Sequence, residues 1–225
     1  MDLVNEQIEY YRARAGEYDE WWLRQGRYDR GPEFKAQWDA EIEQVRASVE
    51  AFAPRGSVLE LACGTGNWSV ELARFADRLT LVDSSPEVLA LNRSRLQHAR
   101  ARHIQADLFT WRPTEKYDVV FFSFWLSHVP FAAFDAFWDS VRNALAPDGR
   151  VFFIDSLDDE RSTARDQTEP ERRRLNDGRE FHIVKIYYDP VELADKLRAR
   201  GWRADVRATP NYFLFGSATL MPRML

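Results

Sequence analysis

The chain has 225 residues, enough for one α/β domain with some decoration but not for two ordinary domains. Hydrophobic residues make up 45% and aromatics 14%, which excludes a disordered chain, and a net charge of −5 excludes nucleic-acid binding through a broad basic face. The single cysteine, Cys63, excludes an intrachain disulfide and makes a reducing, cytoplasmic setting the expectation; neither a secretion signal nor a membrane span is expected from the apolar runs.

Residues 2–24 and 33–53 carry apolar and aromatic residues at helical spacing: Leu3, Ile8, Tyr11, Tyr18 and Trp22, then Phe34, Trp38, Ile42, Val45 and Val49. Gly26, Gly31 and Pro32 separate the two runs, and Pro32 fits a first helical turn. Residues 1–54 are therefore expected to form a helical lid or cap, with the main domain spanning 55–225.

From Ser57 strands and helices alternate. SVLEL (57–61) reads as a strand, NWSVELARFA (67–76) as a helix, and LTLVD (79–83) as a strand. SSPEVLALNRSRLQHA (84–99) is a helix with Ser84 or Ser85 as N-cap and Pro86 in its first turn. HIQAD (103–107) is a short strand, and the connection that follows it is too short for a full helix. YDVVFFSF (117–124) and GRVFFIDS (149–156) are apolar runs suited to strands covered on both faces, with a helix over 130–147 between them. Such alternation predicts parallel strands joined by right-handed crossovers.

After Ser156 the chain becomes strongly charged, and a charged loop and hairpin insert is expected at about 157–188. Asn176, Asp177 and Gly178 mark the hairpin turn. Asp155, Asp158 and Asp159 read as a solvated loop entrance. A helix over 190–201 and two closing strands, 202–209 and 212–220, complete the chain.

The chemistry concentrates in LELACGTGNW (59–68). Gly64 and Gly66 allow a tight turn in which backbone N–H groups face a ligand, at the sheet position where an open α/β fold binds its ligands. Asp83 ends the second strand, where an acid grips ribose hydroxyls, and Asp107 ends the third, suited to an adenine amino group. Glu60 would place a carboxylate near the ligand, repelling a pyrophosphate and favouring a cation. Ser69 stands where a dinucleotide fingerprint needs Gly or Ala, and no Gly-Lys-Ser/Thr follows, so neither a dinucleotide loop nor a phosphate loop fits.

ELACGTGNW, LVDSSPEVLALNRSR, QADLFTW, YDVVFFSFWLSHVP and LAPDGRVFFID, in this order, resemble the class I S-adenosylmethionine-dependent methyltransferases, in particular the small-molecule branch typified by quinone-biosynthesis enzymes. The resemblance implies an α/β, Rossmann-like, seven-stranded and mostly parallel sheet of order 3-2-1-4-5-7-6, its seventh strand antiparallel, with helices on both faces. It implies S-adenosyl-L-methionine as cofactor, S-adenosyl-L-homocysteine as product, and methylation of oxygen, nitrogen or carbon on a small organic acceptor, in natural-product or secondary metabolism. The residues it places at the cofactor are Tyr11, Tyr18, Glu60, Ala62, Gly64, Thr65, Gly66, Asn67, Trp68, Asp83, Ser84, Asp107, Leu108, Ser123 and Phe124.

On the acceptor side the expected residues are Trp21, Trp22, Trp125 and His128, with His128 and Tyr18 as catalytic candidates. His128 leaves the fourth strand where the acceptor would approach, and imidazole suits a general base. Tyr11 and Tyr18 lie seven apart, on one face of a continuous helix. Arg172, Arg173, Arg174, Arg179 and Lys185 of the insert either close over an anionic substrate, pair with a second subunit in a homodimer, or stay solvated. No metal is expected, because no His or Cys cluster has ligand spacing. The partner is a small molecule, with no nucleic acid and no membrane. Competing readings are a nicotinamide-dependent oxidoreductase on a related sheet, a nucleic-acid or protein methyltransferase, and a non-catalytic cofactor-binding relative.

Overall fold

The computed structural model describes residues 2–96, 100–157 and 170–222; His98, Asp158 and Asp159 lie outside them. Seven strands form one sheet: β1 Gly56–Leu61, β2 Ala76–Asp83, β3 Ala101–Gln105, β4 Tyr117–Ser123, β5 Leu145–Ser156, β8 Trp202–Ala208 and β9 Phe213–Leu220. Their order is β3-β2-β1-β4-β5-β9-β8. The first five pair in parallel, and β9 runs antiparallel to both its neighbours. Setting aside the separate hairpin of β6 Glu171–Arg174 and β7 Glu180–Ile183, this is the expected order 3-2-1-4-5-7-6.

The apolar runs of the central strands serve both faces by alternation. Val58, Leu81, Phe121 and Phe152 pack against Trp38, Val45 and Val49 of α3 (Pro32–Phe52) and Trp21 and Trp22 of α2 (Tyr18–Leu23). Leu59, Val82, Phe122 and Phe153 pack against Trp138 and Val141 of α6 (Phe134–Ala144) and Leu193 and Leu197 of α7 (Pro190–Arg198). Among the described residues no helix is long and apolar enough to cross a membrane.

Two local results differ from the expectation, and a third agrees with it. The helix after the glycines, α4, covers only Ser69–Leu72. Bonds from Arg74 N to Glu71 O and from Phe75 N to Leu72 O tighten its exit into three-residue turns, and β2 begins at Ala76. The first helical run breaks into α1 (Leu3–Ala13) and α2, with turns at Arg14–Glu17, so Tyr11 and Tyr18 do not share a helix face. The crossover helix α5 (Pro86–Arg95) follows its signals: Ser85 accepts from Val88 N and Pro86 sits in the first turn.

The N-terminal helix lies on the hairpin. The Gln7 amide donates to His128 O at 3.1 Å and accepts from Val184 N at 3.0 Å. Glu6 accepts from His182 N, and Tyr10 packs against Leu175, Ile183 and Phe181. One helix thus joins the exit of β4 to the insert and roofs the C-terminal end of the sheet.

Candidate functional site

Beyond the C-terminal ends of β1 and β4 lies a cavity of about 710 Å³, open to solvent on one side. Ala62, Gly64, Thr65, Asp83, Ser84, Asp107, Leu108, Ser123 and Phe124 line its floor; Gln7, Ile8, Tyr11 and Tyr18 line its roof, and Trp125 and His128 its far wall. Ala62 and Phe124, which follow β1 and β4, hold φ near +51°, a left-handed conformation that non-glycine residues rarely adopt. Both central strands turn sharply away there, which leaves the space the cavity occupies.

The glycine loop rests on two polar struts. Asp83 accepts from Gly64 N and from Ser85 N, both at 3.0 Å, and burial pushes its carboxyl up. Asn92, fully buried on α5, donates to Gly64 O at 3.1 Å and to Ser69 Oγ at 2.9 Å, while its own carbonyl accepts from His103 Nε2 at 3.0 Å. Gly66, at φ +95°, is pressed against Asn92: a Cβ there would meet the amide at 3.3 Å. Its lack of a side chain lets the loop dock on α5. Sequence reading missed Asn92, whose only signal is a polar residue on an otherwise buried helix face. Asn92→Ala is expected to weaken S-adenosylhomocysteine binding by roughly 1–2 kcal/mol, about tenfold, in titration calorimetry; unchanged affinity would remove the strut from the argument.

Glu60 is corrected by its position. It does not line the cavity but lies under the loop, 1% exposed, with Oε2 accepting from Ser69 Oγ at 2.6 Å and Oε1 unpartnered among the described residues. Burial pushes its carboxyl up to about 8, Ser69 pulling it down and Asp83 adding a smaller push upward. In this state it is protonated at neutral pH, so the expected repulsion of a pyrophosphate has no charge behind it.

A second cavity, about 460 Å³, adjoins the first and shares Tyr11, Tyr18, Phe124 and His128 with it. Trp21, Tyr28, Ser156, Arg14, Arg173 and Lys185 complete its wall. On β6 the side chains alternate, so Arg173 turns inward while Arg172 and Arg174 are exposed. Arg179 is outside as well, paired with Asp177. Of Arg172, Arg173, Arg174, Arg179 and Lys185, Arg173 and Lys185 face the cavity. Lys185 Nζ donates to Ser127 Oγ at 2.8 Å and lies 3.6 Å from Asp155, whose oxygens accept from Ser127 N and Ser156 N.

His128 stands between the cavities, and both its nitrogens are engaged. Val184 O can only accept, so Nδ1 carries the proton at 2.7 Å from it, and Nε2 accepts from the Tyr11 hydroxyl at 2.8 Å. Burial, then the Lys185 cation, hold its pKa well below the usual histidine range. The ring is neutral with no lone pair to spare, which speaks against the expected general base. Tyr18 is no better placed, because burial drives its hydroxyl above the usual tyrosine value.

The other expected residues divide as follows. Trp21 lines the second cavity. Trp125 lines the first, packed on Phe109 beside Asp107, and does not line the second. Trp22 and Trp68 belong to the core beneath the loop, 5.9 Å apart, and with Asn67 line a smaller recess there. Asn67 and Thr65 also donate to Asp19 of α2, which pairs with Arg95 of α5.

An open sheet in this order, with acids at the ends of β2 and β3 around a glycine turn, defines the Rossmann-like methyltransferase architecture. The profile of a methyltransferase domain family matches residues 58–149. A structure of DhpI with SAH is 40% identical, covering 98% of each chain at a TM-score of 0.79, and a DhpI–SAM–HEP complex is 41% identical, covering 96% of this chain and 97% of that one at 0.78. The N-methyltransferase NodS from Bradyrhizobium japonicum WM9, solved with S-adenosyl-L-homocysteine, shares the fold at a TM-score of 0.66 and 16% identity, over 96% of this chain and 98% of its own. Trans-aconitate 2-methyltransferase of Escherichia coli O1:K1 / APEC is 35% identical over 75 residues, 32% of this chain, and that match spans only 29% of the curated relative's length. The chain belongs to the class I S-adenosylmethionine-dependent methyltransferases, and S-adenosylmethionine is its cofactor.

The first cavity fits that cofactor. Gly64 leaves the floor clear of any side chain, and the two charged residues among the lining groups are the acids Asp83 and Asp107, suited to a ligand bearing hydroxyls, an amine and a positive sulfur.

Proposed function

We propose that the second cavity receives a small organic acceptor and that this chain transfers a methyl group to it across the wall the two cavities share. The carrying observation is that shared wall: Tyr11, Tyr18, Phe124 and His128 each line both voids. S-adenosylmethionine, when bound, supplies an electrophilic methyl group on sulfur. Asp83, Asp107 and the glycine loop hold the donor, Phe124 and the lid aromatics exclude water, and Tyr11, fixed by His128, borders the path between the two ligands.

The test is to incubate the protein with S-adenosylmethionine and panels of small acceptors, following S-adenosylhomocysteine release and the mass of each acceptor. Binding of S-adenosylhomocysteine without turnover on any panel would reduce the chain to a cofactor-binding protein.

His128 positions Tyr11 in this reading. His128→Phe is therefore expected to lower kcat by about tenfold and to leave the shape of the pH–rate profile unchanged. A loss beyond about a hundredfold, with an acid limb present in the wild type and missing in the variant, would restore the base role.

A further inference from the structure

The two cavities carry opposite charge. None of the ten described residues lining the second is acidic, and three are cationic: Arg14, Arg173 and Lys185. Arg173 and Lys185 each have a carboxylate nearby, Glu171 at 3.0 Å and Asp155 at 3.6 Å. Arg14 is different. It is 7% exposed, its Nη2 donates to the Tyr28 hydroxyl at 3.1 Å, and its Nε has no hydrogen-bond partner among the described residues. Around its guanidinium lie the rings of Tyr10, Tyr18 and Tyr28, and no carboxylate among the described residues pairs with it. A buried cation without a counter-charge is costly, and an anion in the adjoining void would remove that cost.

Among the described residues around the second cavity no acceptor stands unengaged, and Lys185, its pKa lowered by burial, stays paired with Asp155. Both nitrogens of His128 are engaged, burial raises the hydroxyls of Tyr11 and Tyr18 above the usual tyrosine value, and Asp155 already accepts two backbone N–H groups. On the donor side, Asp83 is bound to Gly64 N and Ser85 N, and Asp107 to Phe109 N and the Thr110 hydroxyl. A nucleophile that is already ionised needs none of them.

We infer that the acceptor is a small organic acid, bound through its oxyanion by Arg14, Arg173 and Lys185 and methylated on an acid oxygen to give a methyl ester. The inference rests on the methyl-transfer reading above. An oxygen lone pair forms the new bond to the methyl carbon while the carbon–sulfur bond breaks, its electron pair staying on sulfur. A sulfonium and an oxyanion become a neutral thioether and an ester, and no proton moves. The acceptor leaves with one negative charge fewer, so its attraction to the three cations falls as the product forms.

The experiment has a binding arm and a turnover arm. In the first, protein loaded with S-adenosylhomocysteine is titrated calorimetrically with inorganic phosphate, methylphosphonate and succinate. At least one is expected to bind, and Arg14→Met and Lys185→Met are each expected to weaken it about tenfold or more. Retained S-adenosylhomocysteine affinity shows that each variant is folded, and Lys185→Arg should recover part of the loss. In the second arm, matched sets of carboxylates, phosphate monoesters, phosphonates, phenols and amines are offered with S-adenosylmethionine. A base-labile methyl ester in the carboxylate set, or in a phosphorus set, supports the inference and names the acid. Turnover of phenols or amines with every acid inert would overturn it and leave methyl transfer standing, as would acid binding indifferent to both Met variants. Failure of S-adenosylhomocysteine to bind the wild type would overturn the methyl-transfer reading itself.

Discussion

Replacing Glu60 by glutamine is expected to stabilise the ligand-free protein as the pH rises, by on the order of 3 kcal/mol at about pH 7 relative to its effect in acid. In the unfolded chain the carboxyl titrates near 4.5; in the fold it is raised to about 8. A raised carboxyl costs nothing below the unfolded value, where both states are protonated. The cost grows as the pH rises from about 4.5 to about 8, because the unfolded chain releases a proton that the fold retains, and it levels off above that. Glutamine carries no titrating proton, so the difference between variant and wild type should climb across this window. The amide leaves one buried donor without a partner, a fixed offset of about 1–3 kcal/mol that does not vary with pH. Urea denaturation of both proteins at a series of pH values measures the slope. A difference independent of pH would show that Glu60 is ionised in the fold.

Asp83→Asn is expected to lower affinity for S-adenosylmethionine and S-adenosylhomocysteine by about tenfold to a hundredfold, roughly 1.5–3 kcal/mol. The carboxylate accepts from Gly64 N on the loop and Ser85 N at the start of α5, and it lines the cofactor cavity. An amide would turn a donor toward one of these N–H groups, so loop, helix start and ligand contact suffer together. Because burial raises the Asp83 carboxyl, the gap between variant and wild type should narrow as the pH falls and the wild type becomes protonated. Calorimetry at neutral and acid pH reads both effects, and equal affinities at neutral pH would place Asp83 outside the cofactor contacts.

The strands and the glycine turn were legible in the sequence because their signals are local, whereas the sheet order came from the family resemblance. Strand runs, turn glycines, the Ser85 cap and the acids ending β2 and β3 each act within a few residues of themselves. Glu60 was not legible in this way. A strand buried on both faces gives no alternation to tell which side a lone carboxylate takes, and the face it shares with Val58 points under α4. Asn92 and Gly66 form a pair far apart in sequence, so neither shows its purpose alone. The basic insert was legible in composition only. A period of two separates Arg173 from Arg172 and Arg174, but the packing of Tyr10 and Gln7 against the hairpin decides which side is inward. The break between Tyr11 and Tyr18 hid in a run whose apolar spacing continued across it.

The place of Arg14, Tyr28, Arg173 and Lys185 along the chain has an evolutionary reading. All four lie outside residues 58–149, the stretch matched by the methyltransferase domain family, whereas Gly64, Asp83 and Asp107 lie within it. The matched segment carries the glycine loop and both acids of the first cavity, and the segments on either side carry the three cations of the second, while Tyr11, Tyr18, Phe124 and His128 border both. On the organic-acid proposal, a change of acceptor is expected to centre on the N-terminal segment and the hairpin, with the glycine loop and its acids left in place. Chimeras that trade these two pieces between relatives follow the same division of labour.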